Sequence, residues 1–248
     1  MLGPRTIKLT VAYDGTRFVG WQRQAEGESI QGLLEDALAR FEGAPVTVHG
    51  AGRTDAGVHA LGQVGSAQLT CGHDTAALLR GLNASLPADV RVVRVDDQPP
   101  GFHARFSARS KTYRYVLRTS PILDPFDRLY AWHVGTGLDR PAMLEAAAAL
   151  VGTHDFAAFQ STGTETAGTV RIITRSALVE RDGVSHYEVE GNGFLRHMVR
   201  AIVGTLVEVG RGLRPPGSMA SLLHGGTRAQ AGATAPAHGL FLVRVEYD

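Results

Sequence analysis

The sequence predicts an α+β protein made of two tandem ferredoxin-like (βαββαβ) units, each an antiparallel sheet with helices on one face. Some segments are β-rich with alternating polar and apolar residues, and others have apolar residues that recur at helical spacing. The order of these segments in the first half of the chain is repeated in the second half. With 248 residues, the chain is long enough for two small units. We place the first unit at residues 1–104 and the second at residues 105–248.

Six segments make up the first predicted unit, in the order β-α-β-β-α-β. Alternation of polar and apolar residues predicts strands at residues 5–13, 46–50, 61–69 and 90–95. Helical periodicity predicts helices at residues 30–41 and 74–83, and Ser29 can cap the first of them.

The second predicted unit repeats this order. We expect strands at residues 106–118, 171–180, 184–190 and 240–247, and helices from a cap at Asp139 to residue 151 and over residues 194–206. Asp182-Gly183 predicts the turn of a hairpin between the two middle strands. The segment from Gln160 to Gly168, rich in Thr and Gly, predicts a mobile loop.

Composition excludes several classes of protein. Because Cys71 is the single cysteine, neither an internal disulfide nor a cysteine cluster for zinc can form. The longest apolar run, residues 146–151, is far too short for a transmembrane helix, and the first residues do not resemble a signal peptide. We therefore expect a cytoplasmic protein with no membrane partner.

The charge distribution is more informative than the net charge of +1. Residues 102–119 contain five cations and no acid, with Tyr113 and Tyr115 interleaved; the cations are Arg105, Arg109, Lys111, Arg114 and Arg118. Cations for phosphates and rings for bases are typical of a nucleic-acid surface. The alternative is an ordinary solvated strand face.

The loop at residues 50–59 carries the candidate chemistry. Its glycines indicate a tight loop between two strands, and Arg53 and Asp55 lie two residues apart on it. A carboxylate near guanidinium groups stays ionised, so Asp55 can serve as a nucleophile or base. Asp55 could instead cap a turn, or bind a cation together with His59 and either His49 or His103.

Five segments, in order, are similar to a known family. The loop Gly52-Arg53-Thr54-Asp55-Ala56-Gly57-Val58-His59 resembles the signature of the tRNA pseudouridine synthase A (TruA) family. The other segments that resemble this family are Tyr13-Asp14-Gly15 with Gly20-Trp21-Gln22-Arg23-Gln24, Phe102 to Ala108 with Tyr113-Arg114-Tyr115, Phe194 to Arg200 with Ile202-Val203-Gly204, and Ala235 to Leu242. Together they span nearly the whole chain.

The resemblance implies isomerisation of uridine to pseudouridine at positions 38, 39 and 40 of the tRNA anticodon stem-loop, in a cleft between the two units. It also implies a homodimer that needs no cofactor and no metal. Asp55 corresponds to the catalytic aspartate, Arg53 to the loop arginine that assists the flipped-out nucleotide, Tyr113 to the tyrosine against the target base, and Arg200 to the arginine paired with the aspartate. Whether Asp55 attacks the sugar or removes its C2′ proton stays open.

Two other functions remain as alternatives. A non-catalytic RNA-binding protein on the same scaffold would need the basic strand but not Asp55. A metal-dependent hydrolase would use Asp55 and His59 as ligands.

Overall fold

The structure is a computed structural model that describes residues 3–161, 163, 168–181 and 184–248. The protein belongs to the mixed α+β class, as the sequence predicted, and its strands pair mostly antiparallel. The chain forms two compact units. Unit 1 contains the residues up to Arg109 together with Leu242–Asp248, and unit 2 is Ser110–Phe241.

These units differ from the predicted division at residue 104. The chain crosses into unit 2 after Arg109, and Leu242–Asp248 return to unit 1. The physical reason for the return is backbone pairing: the last strand, β10 (Leu240–Glu246), lies next to β3 (His59–Leu69). Local alternation predicted the last strand but could not indicate its neighbour.

Unit 1 has the element order β-α-β-β-α-β. Its elements are β1 (Arg5–Tyr13), α1 (Ile30–Glu42), β2 (His49–Gly50), β3, α2 (Thr75–Ser85) and β4 (Val90–Gln98). The sheet order is β4-β1-β3, with β2 also paired to β3. The core consists of fully buried aliphatic side chains from β1 and both helices, among them Ile7, Leu9, Val11, Leu34, Leu38, Leu78 and Leu82.

Local signals placed the helices of unit 1 correctly but overestimated one strand. The Ser29 side chain accepts a hydrogen bond from Gly32 N, which confirms the predicted cap. Only His49–Gly50 of the predicted strand at residues 46–50 pairs with β3. The backbone of Val48 bonds instead to side chains of α1, because its N–H donates to Glu35 and its carbonyl accepts from Gln31.

The strands of unit 2 follow the order β5-β9-β8-β7, with β6 paired parallel to β5. Its elements are β5 (Ser110–Arg118), β6 (Trp132–His133), α3 (Arg140–Ala148), β7 (Gly152–Asp155), β8 (Val170–Arg181), β9 (Val184–Gly191), α4 (Met198–Gly210) and α5 (Ser218–Leu223). In α4 only Arg200 and Glu208 are less than fully buried. The predicted amphipathic helix is therefore surrounded on nearly every side.

Three predicted elements of the second half have different bounds in the structure. The strand at 106–118 begins at Ser110, because residues 103–107 close a turn in which Ser107 N donates to His103 O. The helix at 194–206 begins at Met198, because His197 adopts a left-handed backbone (φ 62°) that cannot continue a helix. Asp139 caps α3 as predicted, but that helix ends at Ala148.

The β8–β9 pairing confirms the predicted hairpin strands, whereas Asp182 and Gly183 lie outside the described residues. Most of the predicted loop at 160–168 also lies outside them. Strands β6 and β7 and helix α5 were missed, because elements of two to six residues are too short to display a period. Within the described ranges, no helix has the length and apolar character needed to cross a membrane.

Candidate active site

Asp55 lies on the loop between β2 and β3, and backbone contacts hold this loop on both sides of it. Asp55 forms an isolated antiparallel bridge with Gly20, and Trp21 N donates to Thr54 O at 3.0 Å. On the other side, Val58 N donates to Asp55 O at 3.2 Å. The position of the carboxylate is therefore set by the segment that follows β1.

Two glycines allow this close approach of backbones. A Cβ atom at Gly15 would lie 2.0 Å from Val58 O, and one at Gly20 would lie 2.5 Å from Thr54 O. Gly20 also has φ of 109°, a value that side chains other than glycine rarely permit. The sequence pattern included both glycines in a segment of resemblance, but it did not indicate that they contact the loop of Arg53 and Asp55.

Buried hydroxyl and amide groups hold this loop in place by hydrogen bonds. Tyr13 OH lies 2.8 Å from Thr54 Oγ1, and Gln63 Nε2 donates to Gly52 O at 2.9 Å. Burial raises the pKa of Tyr13 to about 12, so its phenol stays neutral. These supporting residues were missed by sequence reasoning, because a tyrosine or glutamine inside a strand carries no signal of its partner across the sheet.

His59 connects the end of the loop to Gly15. Its ring is 1% exposed; Gly15 N donates to Nδ1 at 3.0 Å, and Asp14 Oδ1 lies 3.1 Å from the same nitrogen. In the part of the chain that the structure describes, no group of three or more His, Cys, Asp or Glu side chains could hold a metal ion. The contacts of His59 thus assign it to the support of the loop and do not favour the metal alternative.

The two polar side chains of the loop differ in exposure. Asp55 is half-buried and Arg53 is exposed. A half-buried carboxylate on a fixed backbone is suited to act on a bound substrate, and an exposed guanidinium can bind phosphate or replace a displaced base.

Tyr113 lies in β5 of unit 2, in register with Val189 of β9. It is 7% exposed, and its ring packs edge-to-face on Phe194 with 4.9 Å between centroids. Strand alternation placed Lys111, Tyr113 and Tyr115 on one face, and all three are buried.

Arg200, the third residue of α4, is oriented by the segment that precedes β10. Its Nε donates to Ala235 O at 2.8 Å, and Ala235 N donates to Arg200 O at 3.1 Å. Tyr115 OH donates to Pro236 O at 2.8 Å. The guanidinium plane is therefore set by a two-way contact that sequence spacing could not predict.

Comparison with known proteins identifies the family. A family model described as tRNA pseudouridine synthase matches residues 9–107 and 146–248. Over 241 residues the chain is 47% identical to tRNA pseudouridine synthase A of Syntrophotalea carbinolica, covering 97% of this chain and 96% of that protein. Its identity to the protein of that name from Geobacter sulfurreducens is 44%, covering 98% of this chain and 100% of that protein. The chain belongs to the tRNA pseudouridine synthase family.

Membership makes this chain an isomerase that converts uridine of tRNA to pseudouridine. The residues matched by the family model include Arg53, Asp55 and Arg200, whereas Tyr113 falls outside both matched ranges. The family resemblance inferred from the sequence is thus confirmed, while the roles of individual side chains are taken up below as proposals.

Several cations in and beside the basic strand of this synthase form ion pairs that the sequence did not indicate. Arg114 pairs with Glu188 on the neighbouring strand at 3.2 Å, Arg118 pairs with Asp127 at 2.7 Å, and Arg109 pairs with Asp248. The run from Arg105 to Arg118 that lacks acids in the sequence is therefore not free of acids in the structure, because acids distant in sequence lie beside these cations. Arg105 remains exposed next to the ring of Phe106.

Removing the hydroxyl of Tyr13 tests the support of the loop. We expect Tyr13→Phe to lower the free energy of unfolding by about 1 kcal/mol, because a buried hydrogen bond to Thr54 is lost, and to lower kcat because Thr54 adjoins Asp55. Urea denaturation and the initial rate of pseudouridine formation measure the two effects. The control is Tyr187→Phe, which removes a buried Tyr–Ser contact to Ser176 in unit 2. A Tyr13→Phe protein that loses stability but keeps wild-type kcat would contradict the link to the loop.

Proposed function

We propose that this synthase isomerises uridines 38, 39 and 40 in the anticodon stem-loop of tRNA, with Asp55 as the catalytic nucleophile or base. The observation that carries the proposal is the loop geometry: a half-buried carboxylate on a backbone held by Gly20 on one side and Val58 on the other. Such preorganisation suits a group that must meet one atom of a bound sugar.

The reaction requires the bond between C1′ and N1 to break, the uracil to rotate, and a bond between C1′ and C5 to form. The proton on C5 is then lost to water, and N1 gains a proton. The Asp55 carboxylate can begin this sequence by attack on the sugar or by removal of the C2′ proton, and both routes use the ionised form.

The target nucleotide must leave its stack before reaction, at a cost of a few kcal/mol. We assign this step to Arg53, which is exposed on the same loop as Asp55. Its guanidinium can occupy the position left by the base or bind a neighbouring phosphate.

For unit 2 we propose two roles implied by the family resemblance. Arg200 is assigned as the partner that keeps the reacting carboxylate ionised and oriented, and its anchoring by Ala235 O supports a fixed guanidinium. Tyr113 is assigned as the ring against the target uracil, with its hydroxyl as a relay for the C5 proton.

The finer expectations belong to the same proposal. They are the tandem ferredoxin-like arrangement, a homodimer, catalysis without cofactor or metal, and a cytoplasmic location where tRNA is processed. Sedimentation at several protein concentrations tests the dimer, and activity in excess EDTA tests the independence from metal.

The direct test is incubation with unmodified tRNA that carries tritium at C5 of uridine. Isomerisation exchanges this label into water, so the rate of release measures turnover, and mapping of pseudouridine in the product identifies the positions. We expect modification confined to positions 38–40. Pseudouridine mapped to another region of the tRNA would contradict the assigned positions.

The proposed relay predicts the effect of Tyr113→Phe. The phenyl ring still stacks on uracil, so the Kd for tRNA should change little, whereas turnover should fall about 10²–10⁴-fold because acid–base assistance is lost. Single-turnover rates at saturating enzyme measure the effect, and Tyr187→Phe again serves as the control. A rate within about twofold of wild type would remove the hydroxyl from the mechanism.

A further inference from the structure

Three aromatic side chains of unit 1 form a row of neighbouring rings whose two end members, His49 and Phe106, are exposed. The rings of His49 and His103 stack with 4.8 Å between centroids, and His103 lies 4.5 Å from the ring of Phe106. The guanidinium of Arg105 lies 5.6 Å from the Phe106 centroid. We call His49, His103 and Phe106 the aromatic stack. Its last ring, Phe106, is 77% exposed.

The turn that carries Phe106 is tied to the sheet, so the exposed ring is held in place. Ser107 N donates to His103 O at 2.9 Å, and His103 N donates back to Ser107 Oγ at 3.1 Å. The intervening Ala104 is fully buried; its N–H donates to Ser66 Oγ at 3.0 Å, and its carbonyl accepts from Tyr247 OH at 2.7 Å. The exposed ring of Phe106 is therefore held on a fixed turn, where its face is available for stacking.

The stack is not arranged as a metal site. Arg105 N donates to Nδ1 of His103 at 3.1 Å, which occupies the lone pair that a metal would need. Burial lowers the pKa of His103, and the neighbouring His49 lowers it further. At a pH above the ordinary pKa range of histidine, the His103 ring is therefore neutral and presents a flat face to Phe106.

We propose that the aromatic stack is a second base-binding site, in which the face of Phe106 receives an unpaired nucleobase of the RNA other than the reacting uridine. The inference rests on the proposed function for the nature of the substrate. Unpaired bases in RNA loops stack on aromatic rings and on guanidinium planes, and Arg105 adds the positive charge that a nearby phosphate requires. His49 lies in β2, the strand that leads directly into the loop of Arg53 and Asp55.

The test uses Phe106→Leu and Phe106→Trp with a set of anticodon stem-loop RNAs. Each RNA carries the fluorescent base 2-aminopurine at one loop position, so that stacking is detected as quenching. We expect one position to be quenched by the wild-type protein and by Phe106→Trp, but not by Phe106→Leu. The Kd for that RNA should rise between about 5-fold and about 100-fold in Phe106→Leu. At saturating unlabelled stem-loop RNA, kcat should stay near the wild-type value.

The matched control is Val93→Ala, which shortens another exposed apolar side chain of unit 1. If Phe106→Leu keeps the affinity and the quenching of the wild-type protein, the second base-binding site is overturned. A change in the sedimentation of Phe106→Leu would overturn it as well, because it would assign Phe106 to contact between copies of the chain. If the wild-type protein quenches through Phe106 but releases no tritium from tRNA, the proposed function fails while this site stands. If it neither binds the RNA set nor turns over tRNA, both are overturned.

Discussion

Asp55→Asn is expected to abolish tritium release from tRNA labelled at uridine C5, with a loss of about 10⁴-fold or more in turnover. Asparagine has nearly the same shape as aspartate but is neither an effective nucleophile nor a base. The contacts that hold the loop, from Gly20 and Val58, are to the backbone of residue 55 and persist in the variant. Since several other side chains are proposed to share the binding of RNA, the Kd for tRNA should stay within about tenfold of wild type.

The matched control for this experiment is Asp97→Asn, which removes an exposed carboxylate of the same unit from a surface pair with Arg5. Surface ion pairs contribute little to stability, so turnover should be unchanged. Substantial turnover by Asp55→Asn would refute the assignment of Asp55. A large loss of tRNA binding in Asp55→Asn would mean that the carboxylate acts in binding as well as in chemistry.

Gly20→Ala is expected to cause a large loss of stability. The new Cβ would lie 2.5 Å from Thr54 O, and the backbone at φ of 109° is strained for alanine. The strain and the clash together should lower the free energy of unfolding by about 2–5 kcal/mol. Because Thr54 precedes Asp55, the molecules that remain folded should also turn over tRNA more slowly.

Gly43→Ala separates the effect of the backbone strain from the effect of the clash. Gly43 ends α1 with φ of 72°, and a Cβ there would have no neighbour within 4 Å. This variant therefore has the backbone strain without the clash, and it should lose stability but keep its turnover. Urea denaturation and single-turnover rates compare the two proteins. Equal losses of turnover in both would contradict the role of Gly20 in the position of Asp55.

Long elements with a clear local signal were predicted well. Strand β1 and helix α1 follow from alternation and periodicity, and the Ser29 and Asp139 caps are formed as expected. Errors occurred where a local pattern competes with a tertiary contact. The helical spacing of apolar residues extends back to Phe194. The left-handed backbone of His197 nevertheless prevents a helix there, so α4 begins at Met198.

The candidate site was likewise predicted from the sequence only where the signal is local. The glycine-rich loop with Arg53 and Asp55 was recognised from its sequence, because a carboxylate and a guanidinium on a tight turn are a local pattern. The support of this loop by Tyr13 and Gly20 was not recognised, since each residue acts on the loop from a segment more distant in sequence. Arg114 was counted among the cations typical of a nucleic-acid surface, but the sequence did not indicate that Glu188 of the neighbouring strand lies beside it.

By itself, the sequence determined the α+β class, most of the long elements, the candidate carboxylate and the family, because each depends on residues that are neighbours in the chain or on motifs in a fixed order. Only the tertiary structure decided that Leu242–Asp248 belong to unit 1, that glycines after β1 contact the loop of Arg53 and Asp55, and that His49, His103 and Phe106 form the aromatic stack. The physical reason is that strand pairing and side-chain packing join residues far apart in sequence, and their complementarity is a property of shape that no local pattern contains.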